Sequence, residues 1–438
     1  MRDIIITVMV FATLPFILRH AFFGVLVWSW LSYMNPHRLA WGFAYDFPFA
    51  QLVAITLLLS LLVNSEKKVL PSNALVVLWA SFLVWLTFCT VMAVYPELAF
   101  EQLDKILKIQ LITLVTMLLM NSMERVNQLI WVICISIGFY SVKGGIFTVL
   151  TGGGFHVFGP AGSDIQENNA LAVAVLMILP LMVYVYRFPP HEYVKKIMPY
   201  CIFFSMVAVV GSQSRGALLA IMAVAGFYWL KSKTKALTAT LFIVLAIFGY
   251  AFMPQSWHDR MATISEYQQD ESAMQRIRAW QYSIGIANDR LTGGGFNSWS
   301  LENYAKYAPG ADRAFVAHSI YFAVLNDGGW PGLILFLSIL LLMWRQLSRV
   351  IRVTEGNPEH QDHNLLARML QISMVAFLAG GAFLSLAYFD LAWHIMAITM
   401  VLTKLTEQLQ GGEIVKKKRD QRLPPRLSYG RRRRPSGT

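Results

Sequence analysis

Residues 75–94 read LVVLWASFLVWLTFCTVMAV, and this stretch decides the fold class. It contains no charged residue, proline or glycine, and its length of about 20 residues is what an α-helix needs to cross a bilayer. Residues 236–253 form a similar run. Across the 438 residues 56% are hydrophobic and only 14% are charged, which is too little polar surface for a soluble protein of this size. We therefore predict an all-α, polytopic membrane protein.

Hydropathy predicts the membrane spans along the rest of the chain. They lie near 47–64, 74–95, 103–121, 127–150, 168–186, 196–211, 214–230, 236–253, 329–345, 371–387 and 390–406. The first 35 residues hold two shorter apolar runs divided by Arg19 and His20, which are either two short helices or one broken helix. We expect about twelve transmembrane helices in total.

Basic residues at the ends of the spans set the orientation, because lysine and arginine accumulate on the cytoplasmic side. Those that alternate onto one side are Lys67, Lys68, Arg125, Arg187, Lys195, Lys196, Lys231, Lys233, Lys235, Arg345, Arg349 and Arg352. The tail at 416–434 adds ten basic residues against one acidic residue. Its place just after the last span favours contact with anionic membrane lipids over nucleic acid. We predict a cytoplasmic tail and no nucleic-acid partner.

The chain is expected to have four parts. These are N-terminal transmembrane helices at 1–253, one large loop at 254–318, C-terminal transmembrane helices at 319–406 and a basic tail at 407–438. The loop faces the periplasm or the exterior. Within it, 272–287 has the spacing of an amphipathic helix, with Met274, Ile277, Trp280/Gln281 and Ile284 on one side. Long loops are uncommon in compact proteins and are often functional, so we expect functional residues in this loop.

Three arginines are candidates for binding an anion. Arg215 lies in GSQSRG at 211–216, a polar junction between two apolar runs at their outer ends. A guanidinium in such a turn suits bidentate binding of a phosphate or carboxylate, and the alternative is an arginine that snorkels to the headgroups. Arg276 and Arg278 are about 200° apart on the loop helix, so only one of them can face a given pocket. A solvated loop arginine is the alternative for both.

One histidine and three lysines complete the set. His318, where the loop enters the next helix, suits a general base near neutral pH, although lone histidines are more often structural. Lys105, Lys108 and Lys143 lie in apolar spans, where lysine is costly without a cavity or a partner. For the first two the alternative is an ion pair with Glu101 or Asp104. No residues have the spacing of metal ligands, so neither a metal nor another cofactor is predicted.

Three motifs resemble the O-antigen ligase and polymerase superfamily. SRGA at 214–217 is similar to its S-R-G element, and RIRAW at 276–280 followed by GGGF at 293–296 is similar to its loop segment. AHS at 317–319 through GWPG at 329–332 resembles its histidine segment. In the first half, KGGIF at 143–147, TGG at 151–153, GPAGS at 159–163 and Asn168-Asn169 are similar to a subfamily of O-glycosylation ligases.

The resemblance implies a membrane-embedded, metal-independent glycosyltransferase of the GT-C type in the bacterial inner membrane. Such an enzyme moves a glycan from undecaprenyl pyrophosphate to an acceptor on the periplasmic face. Arg215 and Arg276 would hold the pyrophosphate, and His318 would orient or deprotonate the acceptor hydroxyl. Apart from the resemblance, we expect Lys105, Lys108 and Lys143 to be secondary diphosphate contacts, together with Arg278, an additional basic residue close to Arg276.

The leading interpretation is an O-antigen ligase whose acceptor is the lipid A–core oligosaccharide. A protein O-oligosaccharyltransferase or an O-antigen polymerase would share the donor chemistry and differ in the acceptor. A transporter or flippase of lipid-linked sugars is more remote, because it predicts charged residues through the middle of the bilayer from both sides.

Overall fold

The computed structural model describes residues 1–255, 257–258 and 271–422. The described residues form α-helices and short 3₁₀ turns, and none of them forms a strand. The helices are α1 (Arg2–Arg19), α2 (Ala21–Met34), α3 (Phe49–Val63), α4 (Ala74–Val91), α5 (Pro96–Leu119), α6 (Met123–Leu150), α7 (Asn168–Arg187), α8 (Glu192–Gly211), α9 (Arg215–Lys231), α10 (Lys235–Phe252), α11 (Glu271–Asp289), α12 (Leu301–Tyr307), α13 (Ile320–Thr354), α14 (Gln361–Gly381) and α15 (Asp390–Arg422).

Seven helices of the described chain are long and apolar enough to cross a membrane. They are α4, α6, α7, α8, α10, α13 and the segment Pro358–Gly381 that contains α14. This confirms an all-helical, multi-pass membrane protein. The predicted spans at 47–64, 103–121, 214–230 and 390–406 do form helices (α3, α5, α9 and α15), but these are outside the seven. The total of about twelve stays a prediction.

The first 35 residues form two separate helices, which decides between the two alternatives left by the sequence. Helix α1 ends at Arg19, and the extended His20 separates it from α2. The hydroxyl of Ser60 at the end of α3 donates to the carbonyl oxygen of Ile17 (2.5 Å). At the other end of α1, the Asp3 carboxylate accepts the backbone N–H of Gly42 (2.9 Å), just before α3. Helices α1 and α3 therefore run side by side in the same direction.

Helix α7 lies at the centre of the bundle and is buried along most of its length between α6, α8 and α14. Small residues allow its neighbours α6 and α8 to approach closely, since Ser141 and Ser205 share a hydrogen bond of 2.6 Å across their interface. One turn away, Gly145 of α6 lies directly against the backbone of Phe204 in α8. Close backbone approach at small residues is a common way of packing helices in membranes.

Helix α13 begins earlier than the sequence predicts and is kinked. The span was predicted from residue 329, whereas the helix starts at Ile320 and Gly329 interrupts it with φ 62°. The backbone N–H of Gly294 donates to the carbonyl oxygen of Asn326 (2.8 Å) just before this kink. The indole N–H of Trp85 donates to the carbonyl oxygen of Gly328 (2.7 Å). The first bond fixes the glycine-rich segment at 293–295 to the first part of α13, and the second fixes α4 to the same place.

The loop helix predicted at 272–287 is present as α11, but the prediction of its buried face was wrong. The buried residues include Ala279, Tyr282 and Ile286, whereas Ile284 of the predicted apolar side is 38% exposed. The reason is a small aromatic core within the loop itself. The Tyr282 ring stacks on that of Tyr304 in α12, with centroids 4.5 Å apart. The spacing of apolar residues within α11 cannot indicate that Tyr304 covers this face.

Candidate functional site

The turn between α8 and α9 places Arg215 at the first position of a helix. The Ser214 hydroxyl accepts the backbone N–H of Ala217 (3.0 Å) and so caps the N-terminus of α9. Serine is a favoured N-cap residue because its oxygen satisfies a backbone donor that the helix leaves unpaired. The capped helix end therefore fixes the backbone position from which the Arg215 side chain extends.

Buried amides hold this turn against the rest of the bundle. Gln213 has a left-handed backbone (φ 54°), and its side-chain amide donates to the carbonyl oxygen of Gly153 (2.9 Å). The side-chain amide of Asn168, the first residue of α7, donates to the carbonyl oxygen of Ser212 (2.7 Å). The N-terminal ends of α7 and α9 are thus locked side by side.

Arg215 and Arg276 line the same small pocket, of about 80 Å³. The other residues around it are Asn169, Ser214, Gly216, Ser272, Phe383 and Leu384. The pocket lies at the starts of α7 and α9, where backbone N–H groups and helix dipoles add positive potential to that of the guanidinium groups. The arrangement suits an anionic ligand.

His318 precedes α13 and combines an exposed side chain with buried neighbours, Ala317 and Ser319. Its backbone is left-handed (φ 43°), a conformation that costs a residue other than glycine roughly 1–2 kcal/mol. Desolvation by the surrounding atoms, and secondly the positive charge of Arg276, lower the pKa of His318 below its ordinary 6.5. The ring is therefore neutral at pH 7, can accept a proton, and lies within electrostatic range of Arg276.

The structure separates the two loop arginines as the helical geometry requires. Arg276 lines the pocket and Arg278 does not. Arg278 forms no hydrogen bond or ion pair with any residue that the structure describes. A contact of Arg278 with a diphosphate stays a prediction.

The three lysines lie elsewhere. Lys108 pairs with Asp104 one turn before it (2.5 Å), which is the alternative that the sequence left open. Lys105 pairs instead with Asp164 (2.6 Å), in the connection between α6 and α7. Lys143 is exposed on α6 and has no hydrogen bond or ion pair within the described part of the chain. None of the three lines the pocket with the arginines, and their predicted role is untested.

Sequence reasoning missed part of the pocket wall. Phe383 and Leu384 lie in the connection between α14 and α15, which carries no motif or charge to mark it. Asn169 belongs to the Asn168-Asn169 pair that the resemblance includes, but its place beside Arg215 had no local signal. Within the described ranges, no group of three or more His, Cys, Asp or Glu residues could hold a metal ion.

Fold and pocket together define a class, that of multi-pass helical membrane proteins with a cationic pocket at the ends of their helices. Residues 200–337 match a family described as O-antigen ligase, and residues 1–189 match a family of unknown function (DUF5935). No curated protein sequence matches the chain. Arg215, Arg276 and His318 all lie within the 200–337 match.

The match at 200–337 confirms the predicted resemblance to the O-antigen ligase superfamily. This domain indicates a glycosyltransferase-like enzyme of the ligase or polymerase type.

Proposed function

We propose that the protein is an O-antigen ligase, which transfers a glycan from undecaprenyl pyrophosphate to the lipid A–core oligosaccharide. One observation supports this most strongly. Arg215 and Arg276, which are 61 positions apart in the chain, line one pocket, and His318 lies within the electrostatic range of Arg276. A donor diphosphate needs concentrated positive charge, and an acceptor hydroxyl needs a neutral base nearby.

The reaction follows from these roles. Arg215 and Arg276 bind the diphosphate oxygens and stabilise the negative charge that develops on the leaving group. The acceptor hydroxyl oxygen forms a bond to the anomeric carbon of the glycan, and the bond from that carbon to the diphosphate oxygen breaks. His318 takes the proton of the hydroxyl, and undecaprenyl pyrophosphate leaves. Two guanidinium groups supply countercharge of the kind that a metal ion supplies in other phosphate chemistry, so the transfer is proposed to be metal-independent.

The same proposal includes the membrane arrangement. The protein has the GT-C architecture with about twelve transmembrane helices, the pocket faces the periplasm, and the tail at 407–438 is cytoplasmic. The four predicted parts of the chain remain as proposed, with the loop at 254–318 covering the sugar. Arg278, Lys105, Lys108 and Lys143 would contact the diphosphate only secondarily, as the donor approaches from the bilayer.

The acceptor distinguishes this function from its relatives, a protein O-oligosaccharyltransferase and an O-antigen polymerase. The test is transfer by the purified protein in detergent with EDTA, using undecaprenyl-pyrophosphate glycan and each acceptor in turn. Product on lipid A–core supports the ligase. Product only on a protein would support an O-oligosaccharyltransferase, and product only on a second lipid-linked glycan would support a polymerase. In both cases the proposed donor chemistry would stand and the proposed acceptor would be wrong. Transfer to none of the three would contradict the enzyme and favour a flippase.

The pKa of His318 makes a prediction about pH. As the pH falls, His318 becomes protonated only below its lowered pKa, so the neutral base persists below pH 6.5. We expect the acid limb of kcat/KM, which reports groups of the free enzyme, to lie below pH 6.5. An acid limb at or above 6.5 would show that another group, or a differently placed His318, limits the reaction.

A further inference from the structure

Trp280 lies one helical turn after Arg276 on α11 and is bonded to the peptide of His318. Its indole N–H donates to the carbonyl oxygen of Ala317 (2.9 Å). That oxygen belongs to the peptide group whose nitrogen is the backbone nitrogen of His318. The orientation of this peptide plane sets φ of His318, so the indole restrains the torsion that directs the histidine.

The indole also touches the two other elements that form the site. It stacks on Phe322 in the first turn of α13, with ring centroids 4.9 Å apart and planes 12° apart. It also faces Phe383 of the pocket wall, at 6.4 Å. One side chain thereby joins the helix that carries Arg276, the helix that follows His318 and the connection that closes the pocket.

His318 needs such a restraint. Its left-handed φ of 43° is unfavourable for a residue with a Cβ atom, and such conformations persist only where the surroundings impose them. The accepting residue Ala317 is buried, so its carbonyl oxygen would lose a partner that water does not readily replace.

We infer that Trp280 is a positioning residue, which holds the His318 peptide in its left-handed conformation and so fixes the direction in which the imidazole points. This inference rests on the proposed function for its catalytic consequence, although not for its structural one. Trp280 itself is not among the residues that line the pocket. Its effect is exerted on the base and not on diphosphate binding.

The test is the variant Trp280→Phe, which keeps an aromatic ring for stacking and removes the N–H donor. We expect kcat to fall about tenfold, the size of one lost hydrogen bond, while KM for the donor stays unchanged. In the His318→Ala background the same substitution should have no further effect, because the residue being positioned is gone. Wild-type kcat in Trp280→Phe, or an equal loss in both backgrounds, would overturn the inference.

Trp330→Phe is the matched control. The Trp330 indole also bonds α13 to the end of α11, by donating to the Asn288 side chain (3.0 Å), but it does not touch the His318 peptide. If both variants lose kcat equally, the effect is general docking of the loop and Trp280 has no special role. If only Trp280→Phe loses kcat, the result supports Trp280 as the residue that positions His318.

A second measurement does not depend on transfer. Carbethoxylation of His318 by diethyl pyrocarbonate, followed by peptide mass spectrometry across a pH series, reports the pKa of this histidine directly. In Trp280→Phe the ring should become better solvated and move away from the Arg276 charge, so its pKa should rise towards 6.5. An unchanged pKa would contradict the inference even in an enzyme whose acceptor is not lipid A–core. A raised pKa together with no transfer by the wild type would keep the inference and reject the proposed function.

Discussion

Replacing Arg215 with alanine is expected to lower the rate of glycan transfer by roughly 100- to 1,000-fold. In other enzymes, the loss of one group that stabilises charge in the transition state has an effect of this size. The pocket would retain Arg276 but lose the guanidinium that α9 places at its first position. Initial rates with purified, reconstituted protein measure the effect. His318→Ala should also lower transfer strongly, to a small but measurable residual rate, and both variants should insert and fold normally because both side chains lie at a helix end and not in the packed core.

The chain supplies a control for the charge itself. Arg278→Ala removes an arginine from the same loop as Arg276, but one that does not line the pocket. We expect it to retain most of the activity. Arg215→Lys should be intermediate, since an ammonium keeps the charge and loses the bidentate geometry. Full activity in Arg215→Ala, or equal losses in Arg215→Ala and Arg278→Ala, would contradict the assignment of the pocket.

Gly145→Ala is expected to lower the stability of the protein strongly. An added Cβ atom would lie 1.9 Å from the carbonyl oxygen of Phe204, which is backbone and cannot rotate away. Helices α6 and α8 would have to separate, and overpacking of this kind costs about 1–3 kcal/mol. The measurement is the thermal unfolding midpoint of the purified protein in one detergent.

Gly226→Ala in α9 is the matched control. It is also a glycine within an apolar helix, but no atom outside its own helix lies within 4 Å of an added Cβ. Alanine favours the helix by about 1 kcal/mol over glycine, so this variant should be neutral or slightly stabilised. Equal midpoints for Gly145→Ala and the wild type would show that α6 and α8 do not pack as closely as described.

The sequence predicts those features that local signals determine. Long apolar runs give the membrane helices, because length and hydropathy act within one segment. The alternation of two arginines on a helix was enough to predict that only one of Arg276 and Arg278 reaches a given pocket. The resemblance named Arg215, Arg276 and His318 as partners, and the structure brings the first two into one pocket and places His318 within range of Arg276's charge.

Features that depend on distant partners could not be predicted. Lys105 pairs with Asp164, 59 positions away, whereas the sequence offered only neighbours on its own helix. The buried face of α11 was predicted wrongly because Tyr282 packs against Tyr304 of α12, a residue of the same loop that lies 22 positions further along the chain. The left-handed backbone of His318, and the bond that the Trp280 indole makes to the peptide before it, are likewise indicated by no pattern around residue 318.

The most direct test of the central claim is an electron cryo-microscopy structure of the protein in nanodiscs with undecaprenyl pyrophosphate and EDTA. We predict density for the diphosphate between Arg215 and Arg276, with His318 facing the side from which an acceptor would approach. A diphosphate bound at Lys105, Lys108 or Lys143, with no density between the arginines, would contradict the account.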